Sequence, residues 1–147
     1  GGQYGVEPVG WDLYGGVGAL VPALHHALGN NSHIHSVESA RIMATSGQVT
    51  FGDDVHFHIG LVGNLVDTLP QPDVVVLDPP RVGAGADVVT RIAARKPQRV
   101  IHIGCDPATF ATDVRAWSQA GYHLSDIVVV NAFPGTHHFE TLGLLQP

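Results

Sequence analysis

Short hydrophobic runs alternate with helix-length segments along the whole chain, and this alternation limits the possible folds more than any other feature. The run Val74–Leu77 reads Val-Val-Val-Leu, as expected of a strand that is buried on both faces of a sheet. A helix-compatible stretch follows each of the first five predicted strands. This pattern predicts an α/β fold, a doubly wound and mostly parallel sheet of seven strands with right-handed crossovers.

The predicted strands cover residues 9–14, 33–38, 55–60, 73–78, 99–105, 125–132 and 138–145. The predicted helices cover residues 17–28, 39–46, 61–69, 87–94 and 108–120, and residues 47–54 are predicted to form a loose loop. Only residues 133–137 separate the last two strands, which is too short for a helical crossover, so these strands should pair antiparallel. That ending is expected of the Rossmann-like methyltransferase fold rather than of a standard dinucleotide-binding domain.

Length and composition predict a single domain of 147 residues, of which 44% are hydrophobic. Thirteen acidic residues against seven Lys and Arg give a net charge of -6, so this domain alone should bind a polyanion weakly. The single cysteine, Cys105, excludes an internal disulfide and indicates a reducing compartment. No apolar run approaches the length of a membrane span. We therefore expect a soluble cytoplasmic domain without membrane contact.

In an open parallel sheet, ligands bind beyond the carboxyl ends of the strands, so the residues that follow each strand are the functional candidates. The first strand leads into residues 12–18, Asp-Leu-Tyr-Gly-Gly-Val-Gly, where glycines let the backbone approach a ligand. The second ends at Glu38, which can accept hydrogen bonds from ribose hydroxyls. Together they indicate an adenosyl or nicotinamide ligand. A tight turn without a ligand, and an acid that balances a helix dipole, are the alternatives.

Two further strand ends carry reactive residues. In the sequence Asp78-Pro79-Pro80-Arg81, the double proline fixes the acid and the base rigidly at the edge of the sheet, which suits a substrate platform or a simple strand-ending turn. Cys105 lies where a strand gives way to a helix, whose N-terminus favours a thiolate. It is either a nucleophile or a small buried hydrophobic residue.

Glu140 lies inside the otherwise apolar last strand, where it is either a general base or a surface-facing residue. The histidine pairs at 33 and 35 and at 56 and 58 each share one strand face, which raises the possibility of a metal site. Helices normally cover both faces of such a sheet, and no acid is evident as a further ligand. We therefore predict no metal.

These strand ends together resemble the RNA uracil-5-methyltransferases, the S-adenosylmethionine-dependent enzymes that form 5-methyluridine in tRNA and rRNA. Residues 12–18 are similar to that family's D-L-Y-C-G-V-G loop, and residues 78–81 match its D-P-P-R. Residues 103–113, I-G-C-D-P-A-T-F-A-T-D, resemble its S-C-N-P-A-T-L-A-R-D, and residues 133–145 resemble its F-P-x-T-x-H-V-E-T-V-x-L-L ending. The resemblance covers nearly the whole chain in order.

The resemblance implies that Cys105 is the nucleophile that adds to C6 of uracil, and that Glu140 then removes the proton from C5. It implies that Asp78 lies between cofactor and uracil, and that Arg81 binds the base or a phosphate. The target uridine must be unstacked to reach such a pocket. The residues that would hold S-adenosylmethionine are Asp12, Tyr14, Gly16, Gly18, Glu38 and Asp78.

The chain departs from the family pattern at several positions. Gly15 replaces a cysteine in the first loop, and Asp106 replaces an asparagine and adds a negative charge beside Cys105. After the third strand, Gly60 and Leu61 stand where many methyltransferases carry an acid that touches adenine. That contact is expected from Asp53 or Asp54, or is absent.

By this resemblance, residues 1–147 are the catalytic domain, without the RNA-binding and central domains that family members usually carry N-terminal to it. The substrate would be a uridine in tRNA or rRNA, and this domain alone would have reduced activity or none. Oligomeric state and target uridine cannot be read from the sequence. Two alternatives are a non-catalytic cofactor-binding module and an NAD-dependent oxidoreductase, which would leave Cys105 and Glu140 without roles.

Overall fold

The computed structural model describes residues 4–131, 135 and 139–147. Its strands are β1 (Val9–Leu13), β2 (His33–Glu38), β3 (Val55–Ile59), β4 (Val74–Leu77), β5 (Arg99–Gly104), β6 (His123–Asn131) and β7 (Phe139–Gln146). Its helices are α1 (Val21–Leu28), α2 (Arg41–Phe51), α3 (Val62–Leu65), α4 (Ala86–Ala94) and α5 (Pro107–Gln119). A short 3-10 turn, Gly52–Asp54, joins α2 to β3.

The seven strands form one sheet in the order β3-β2-β1-β4-β5-β7-β6. The first five are parallel, whereas β7 runs antiparallel between β5 and β6. This arrangement confirms the predicted α/β sheet and its antiparallel last pair. The predicted connection at 133–137 lies outside the described residues except for Gly135.

The continuous hydrophobic runs are explained by cores on both faces of the sheet. In β4, Val75 and Leu77 point into one core together with Trp11 and Trp117, whereas Val76 points into a second core beneath α1. Because successive side chains of a strand point to opposite faces, a strand covered on both sides needs an apolar residue at every position.

The predicted loose loop at 47–54 is wrong. Its first five residues complete α2, and the 3-10 turn takes up the rest. Gly47 is buried so closely against the Phe57 ring that a Cβ atom would overlap it, and Gln48 accepts a hydrogen bond from the Phe57 backbone N–H at 3.3 Å. The packing against β3 therefore offsets the low helix propensity of glycine.

Two other elements are shorter than predicted. The helix expected at 61–69 is reduced to the single turn of α3, and α1 begins at Val21 rather than at Val17. In the part of the chain that the structure describes, no helix has the length and apolar character needed to cross a membrane.

Candidate active site at the carboxyl edge of the sheet

The parallel strands bring the predicted functional residues to one edge of the sheet. The carboxyl ends of β1, β2, β4 and β5 share this edge, and the antiparallel β7 begins there, since Thr141 pairs with Gly104. The residues that occupy it are Asp12, Tyr14, Gly16, Gly18, Glu38, Asp78, Arg81, Cys105 and Glu140.

The loop after β1 is folded tightly over a buried carboxylate. Ser36 Oγ donates a hydrogen bond to the Asp12 carboxylate at 3.0 Å, and the Gly15 N–H donates to the Val37 carbonyl at 3.0 Å. A Cβ atom at Gly15 would overlap the Asp12 carboxylate and the Ser36 hydroxyl. Glycine at this position is therefore coupled to the position of Asp12, and a cysteine there would need a different loop.

Two neighbouring residues give the loop its shape. Tyr14 and Gly16 both have left-handed backbones, with φ angles of 59° and 60°. Gly18, with φ of 91°, packs so closely against Phe51 and Phe57 that a side chain would not fit. Gly18 therefore allows close packing against α2 and β3, whereas Gly16 provides a left-handed backbone conformation.

Asp12 lies beneath the loop rather than on its surface, with 1% of the residue exposed. Burial raises its pKa to about 6, the Ser36 hydrogen bond works against that rise, and the negative charges of Asp78 and Glu38 add to it. Three carboxylates, which follow or end β1, β2 and β4, therefore interact electrostatically at the same edge of the sheet. Asp12 takes part from its buried position beneath the loop.

Glu38 connects the loop to the start of α2. One carboxylate oxygen accepts a hydrogen bond from the Gly16 N–H at 2.9 Å, and the other accepts from the Ala40 N–H at 2.6 Å. The side chain thus satisfies a helix N-terminus and also orients the glycine loop. It remains half-exposed, so its oxygens can accept further hydrogen bonds.

A cavity of about 40 Å³ lies beside Glu38, between the ends of β2 and β3, with Tyr14, Leu61 and Val62 among its lining. Asp53 and Asp54 do not reach it. Both lie in the turn at the amino end of β3, and a strand of five residues separates the two edges by roughly 13–17 Å. The expectation that either acid replaces the missing acid after β3 is therefore wrong.

Asp78 and Glu140 interact electrostatically at this edge of the sheet. Partial burial raises the pKa of Asp78, the negative charge of Glu140 raises it further, and His102 works in the opposite direction. Glu140 is half-buried, and one of its carboxylate oxygens is shielded from solvent. The negative charge of Glu140 on β7 therefore acts on the carboxyl group of Asp78 after β4.

Cys105 is exposed at the junction between β5 and α5. The next residue, Asp106, caps α5, because its carboxylate accepts a hydrogen bond from the Thr109 N–H at 3.1 Å. The added charge is thus directed at the helix N-terminus. An asparagine oxygen would cap the helix in the same way, which explains why either residue fits this position.

The turn that carries Arg81 is tied to the same helix. The Thr109 hydroxyl donates a hydrogen bond to the Arg81 carbonyl at 2.9 Å, while the Arg81 side chain is exposed. Three residues behind this turn, His102, Thr109 and Asp113, are not among the site residues predicted from the sequence. Thr109 and Asp113 lie in the matched block at 103–113, which was the available signal.

The histidine pairs do lie on neighbouring strands, as their spacing suggests. His35 Nδ1 and His58 Nε2 are 2.9 Å apart, with ring centroids 5.2 Å apart and planes inclined by 17°. Burial lowers the pKa of His35 to about 4, and the neighbouring imidazoles of His56, His58 and His33 add to this effect. The facing nitrogens form a hydrogen bond. Across residues 4–131, 135 and 139–147, no group of three or more ligating side chains is placed to hold a metal ion.

Comparison with known proteins identifies a family. The sequence model of the family described as tRNA (uracil-5-)-methyltransferase matches residues 30–147. An uncharacterized RNA methyltransferase of Corynebacterium efficiens is 57% identical over 138 residues, which are 93% of this chain and 32% of that protein. A second one, from Bifidobacterium longum, is 38% identical over 150 residues. The chain spans about a third of the length of the curated relatives it matches.

Solved structures give the same answer for the fold. The tRNA (uracil-54, C5)-methyltransferase of Pyrococcus abyssi, solved with S-adenosyl-L-homocysteine, superposes with a TM-score of 0.77 at 27% identity. The match covers 96% of this chain and 34% of that one. Fibrillarin of Aeropyrum pernix, with bound S-adenosyl-L-methionine, superposes with a TM-score of 0.73 at 12% identity, which supports the fold alone.

Proposed function

The chain belongs to the tRNA (uracil-5-)-methyltransferase family, and on that premise we propose that it is a catalytic domain that methylates C5 of a uridine in RNA. S-adenosylmethionine is the methyl donor. For this reaction the sheet divides into a cofactor half, made of β1, β2, β3 and their loops, and a uridine half, made of β4, β5, β6 and β7.

The observation that carries this proposal is the placement of Cys105 and Glu140 at one sheet edge beside Asp78. Cys105 is exposed at the end of β5, and the charge of Glu140 on β7 acts on Asp78 after β4. A nucleophile and a base on adjacent strands are what methylation of a uracil carbon requires, because C5 is a poor nucleophile until C6 is saturated.

In the proposed reaction the Cys105 thiolate forms a bond to C6 of uracil, and the C5–C6 double bond supplies the electron pair with which C5 takes the methyl group. The S–CH3 bond of S-adenosylmethionine would break in this transfer, with S-adenosylhomocysteine as the leaving group. The Glu140 carboxylate then accepts the proton from C5. The electron pair left at C5 restores the double bond and expels Cys105 as thiolate. Asp78 orients the uracil ring and Arg81 contacts the base or a phosphate of the RNA.

The residues of the cofactor half fit an adenosyl group chemically. Glu38 offers half-exposed carboxylate oxygens to ribose hydroxyls, and the aliphatic surface of Leu61 and Val62 beside it suits a flat aromatic ring. Tyr14, Gly16 and Gly18 shape the backbone around the ligand, and Asp12 supports them from beneath. When bound, S-adenosylmethionine supplies an electrophilic methyl group.

The RNA partner is a tRNA or rRNA whose target uridine is turned out of its stack. With a net charge of -6 and a single lysine, this chain has little positive charge for the phosphate backbone. We therefore infer that most of the RNA affinity comes from outside these residues.

The test is covalent capture with RNA that contains 5-fluorouridine, whose C5 fluorine cannot be removed as a proton. With S-adenosylmethionine present, the wild-type chain should form an adduct that survives denaturing electrophoresis, and Cys105→Ser should form none. The matched control is a short RNA of the same sequence with cytidine at the target position. The RNA is supplied at high concentration, because this chain alone should bind it weakly. A wild-type chain that binds S-adenosylhomocysteine but forms no adduct under these conditions would argue for a non-catalytic cofactor-binding module.

A further inference from the structure

A buried polar chain lies behind the uridine half and has no part in the chemistry proposed above. His102 on β5 and Asp113 on α5 are 1% and 3% exposed, and His102 Nε2 is 3.2 Å from the Asp113 carboxylate. Trp117 Nε1 donates a hydrogen bond to His102 Nδ1 at 3.0 Å. Because an indole nitrogen can only donate, Nδ1 must accept, so the proton of the neutral ring is on Nε2 and points to Asp113.

Asp113 also holds the loop that follows the double proline. Its carboxylate accepts hydrogen bonds from the backbone N–H groups of Ala84 at 2.7 Å and Gly85 at 3.1 Å. Burial works to raise the pKa of Asp113, but the hydrogen bonds from His102, Ala84 and Gly85 outweigh it and lower the pKa. The carboxylate therefore remains charged and accepts three hydrogen bonds.

The loop packs closely against this carboxylate at Gly83. Gly83 has a φ of 86°, and a Cβ atom there would approach an Asp113 carboxylate oxygen to 2.8 Å. Gly85 is the N-cap residue of α4, so Asp113 holds the segment that leads directly into that helix. The Gly83 N–H in turn bonds to the Pro80 carbonyl at 2.8 Å, which carries the constraint back to the double proline.

A second bond from the same helix reaches the same turn. Thr109 precedes Asp113 by four residues and therefore lies on the same face of α5, and its hydroxyl bonds to the Arg81 carbonyl. Two residues of α5, Thr109 and Asp113, therefore bond to the segment that contains Arg81 and follows Asp78. This helix begins directly after Cys105 and Asp106.

We propose that Asp113, oriented by His102, is a positioning residue of the uridine half, which fixes the turn at 78–85 relative to Cys105. The effect of Asp113 on the reaction rests on the proposed function. The clamp, by which we mean the hydrogen bonds from the Ala84 and Gly85 N–H groups to Asp113, does not. A small displacement of this turn would move Asp78 and Arg81 out of position relative to a bound uridine. The cofactor half would stay unchanged.

The variant Asp113→Asn tests this, because the amide keeps the shape but replaces one acceptor oxygen with a donor. Asp87→Asn is the matched control, an exposed acid in the first turn of α4 that pairs with Arg91. Hydrogen exchange of the Ala84 and Gly85 amides should quicken about 10- to 100-fold in Asp113→Asn and stay unchanged in Asp87→Asn. Unchanged exchange in both variants would overturn the clamp.

The functional measurement is adduct formation with 5-fluorouridine RNA as a function of RNA concentration. In Asp113→Asn the rate at saturating RNA should fall about 10- to 100-fold, with the dissociation constant of S-adenosylhomocysteine within about twofold of wild type. Equal loss of cofactor affinity and adduct rate would indicate a general stability role and overturn the proposal, as would an unchanged rate.

If Asp113→Asn does not fold, Thr109→Val decides instead, since it keeps the side-chain shape and removes the hydroxyl that bonds to the Arg81 carbonyl and, at 3.2 Å, to the Asp106 carbonyl. It should show the same division, a lower saturating rate with unchanged cofactor affinity. If the wild-type chain forms no adduct, the proposed function fails and the catalytic consequence fails with it. The amide exchange data then decide the clamp independently.

Discussion

The two halves of the sheet are built differently. In the cofactor half, charged side chains bond to the protein's own backbone and neighbours, as Glu38 does with Gly16 and Ala40 and as Asp12 does with Ser36. In the uridine half, Cys105 and Arg81 are exposed, and all nine residues of β6 are exposed as well.

This difference shows which part of the site is held in shape before a ligand binds. The cofactor half is held in shape by hydrogen bonds that exist without a ligand. By the proposed function, it should therefore bind S-adenosylmethionine without a large rearrangement of its loops. The uridine half presents reactive groups on a frame that is fixed from behind by α5. Substitutions in the first half should therefore change cofactor affinity, and substitutions in the second should change bond formation.

The largest effect is expected from Cys105→Ser in the uridine half. Loss of the proposed nucleophile should lower methyl transfer to a uridine-containing RNA by at least about 10³-fold, measured with radiolabelled S-adenosylmethionine. Calorimetric titration should show unchanged affinity for S-adenosylhomocysteine. Appreciable methylation by the serine variant would remove the covalent mechanism.

Glu140→Gln should block the reaction at a later step, the removal of the proton from C5. Without a base for the C5 proton, turnover should fall by about 10²- to 10³-fold, while the bond between Cys105 and an unmodified uridine RNA should persist and become visible as an adduct. Glu7→Gln is the control, since Glu7 is exposed and lies beside His33 alone. Normal turnover in Glu140→Gln would assign the base to another group.

Asp12→Asn should alter the pH dependence of stability in the cofactor half. The folded protein holds the pKa of Asp12 near 6, above the value of 3.8 that the unfolded chain has, so the unfolded state ionises first as pH rises. Stability from this group is complete below about pH 4 and is lost as pH rises to about 6, by on the order of 3 kcal/mol.

The measurement is the free energy of unfolding by denaturant between pH 4.5 and 7.5 for both proteins. Because asparagine does not ionise, and its oxygen can still accept the Ser36 hydrogen bond, the variant should lose less stability than the wild type as pH rises across this range. Parallel curves for the two proteins would show that Asp12 is not buried as a carboxyl group with a raised pKa.

Glu38→Gln should give the smallest of these effects and the one most confined to the cofactor half. An amide nitrogen cannot accept from Gly16 or Ala40, so affinity for S-adenosylhomocysteine should fall about 10- to 100-fold. Asp53→Asn, at the opposite edge of the sheet, should leave the affinity unchanged. Equal effects of the two variants would contradict the placement of the cofactor beside Glu38.

Much of the site could be predicted because its residues follow strands directly. A parallel sheet collects the carboxyl ends of its strands, so Glu38, Asp78 and Cys105 needed only the correct strand positions to be brought together. The acids at 53 and 54 were misjudged because they precede a strand. They are close in sequence to Leu61 and Val62, which line the cavity beside Glu38, but β3 lies between and places the two acids at the opposite edge of the sheet.

Hydrophobic periodicity and motifs within a few residues are enough to predict the alternation of strands and helices, the antiparallel ending and the candidate reactive residues. The pairing of polar groups that lie far apart in sequence depends instead on the tertiary structure, which brings them together and excludes water. Asp113 bonds to Ala84, 29 residues away, and Gly47 is helical because Phe57 packs on it. Both follow from close packing and from the cost of an unsatisfied buried polar group, which no local pattern encodes.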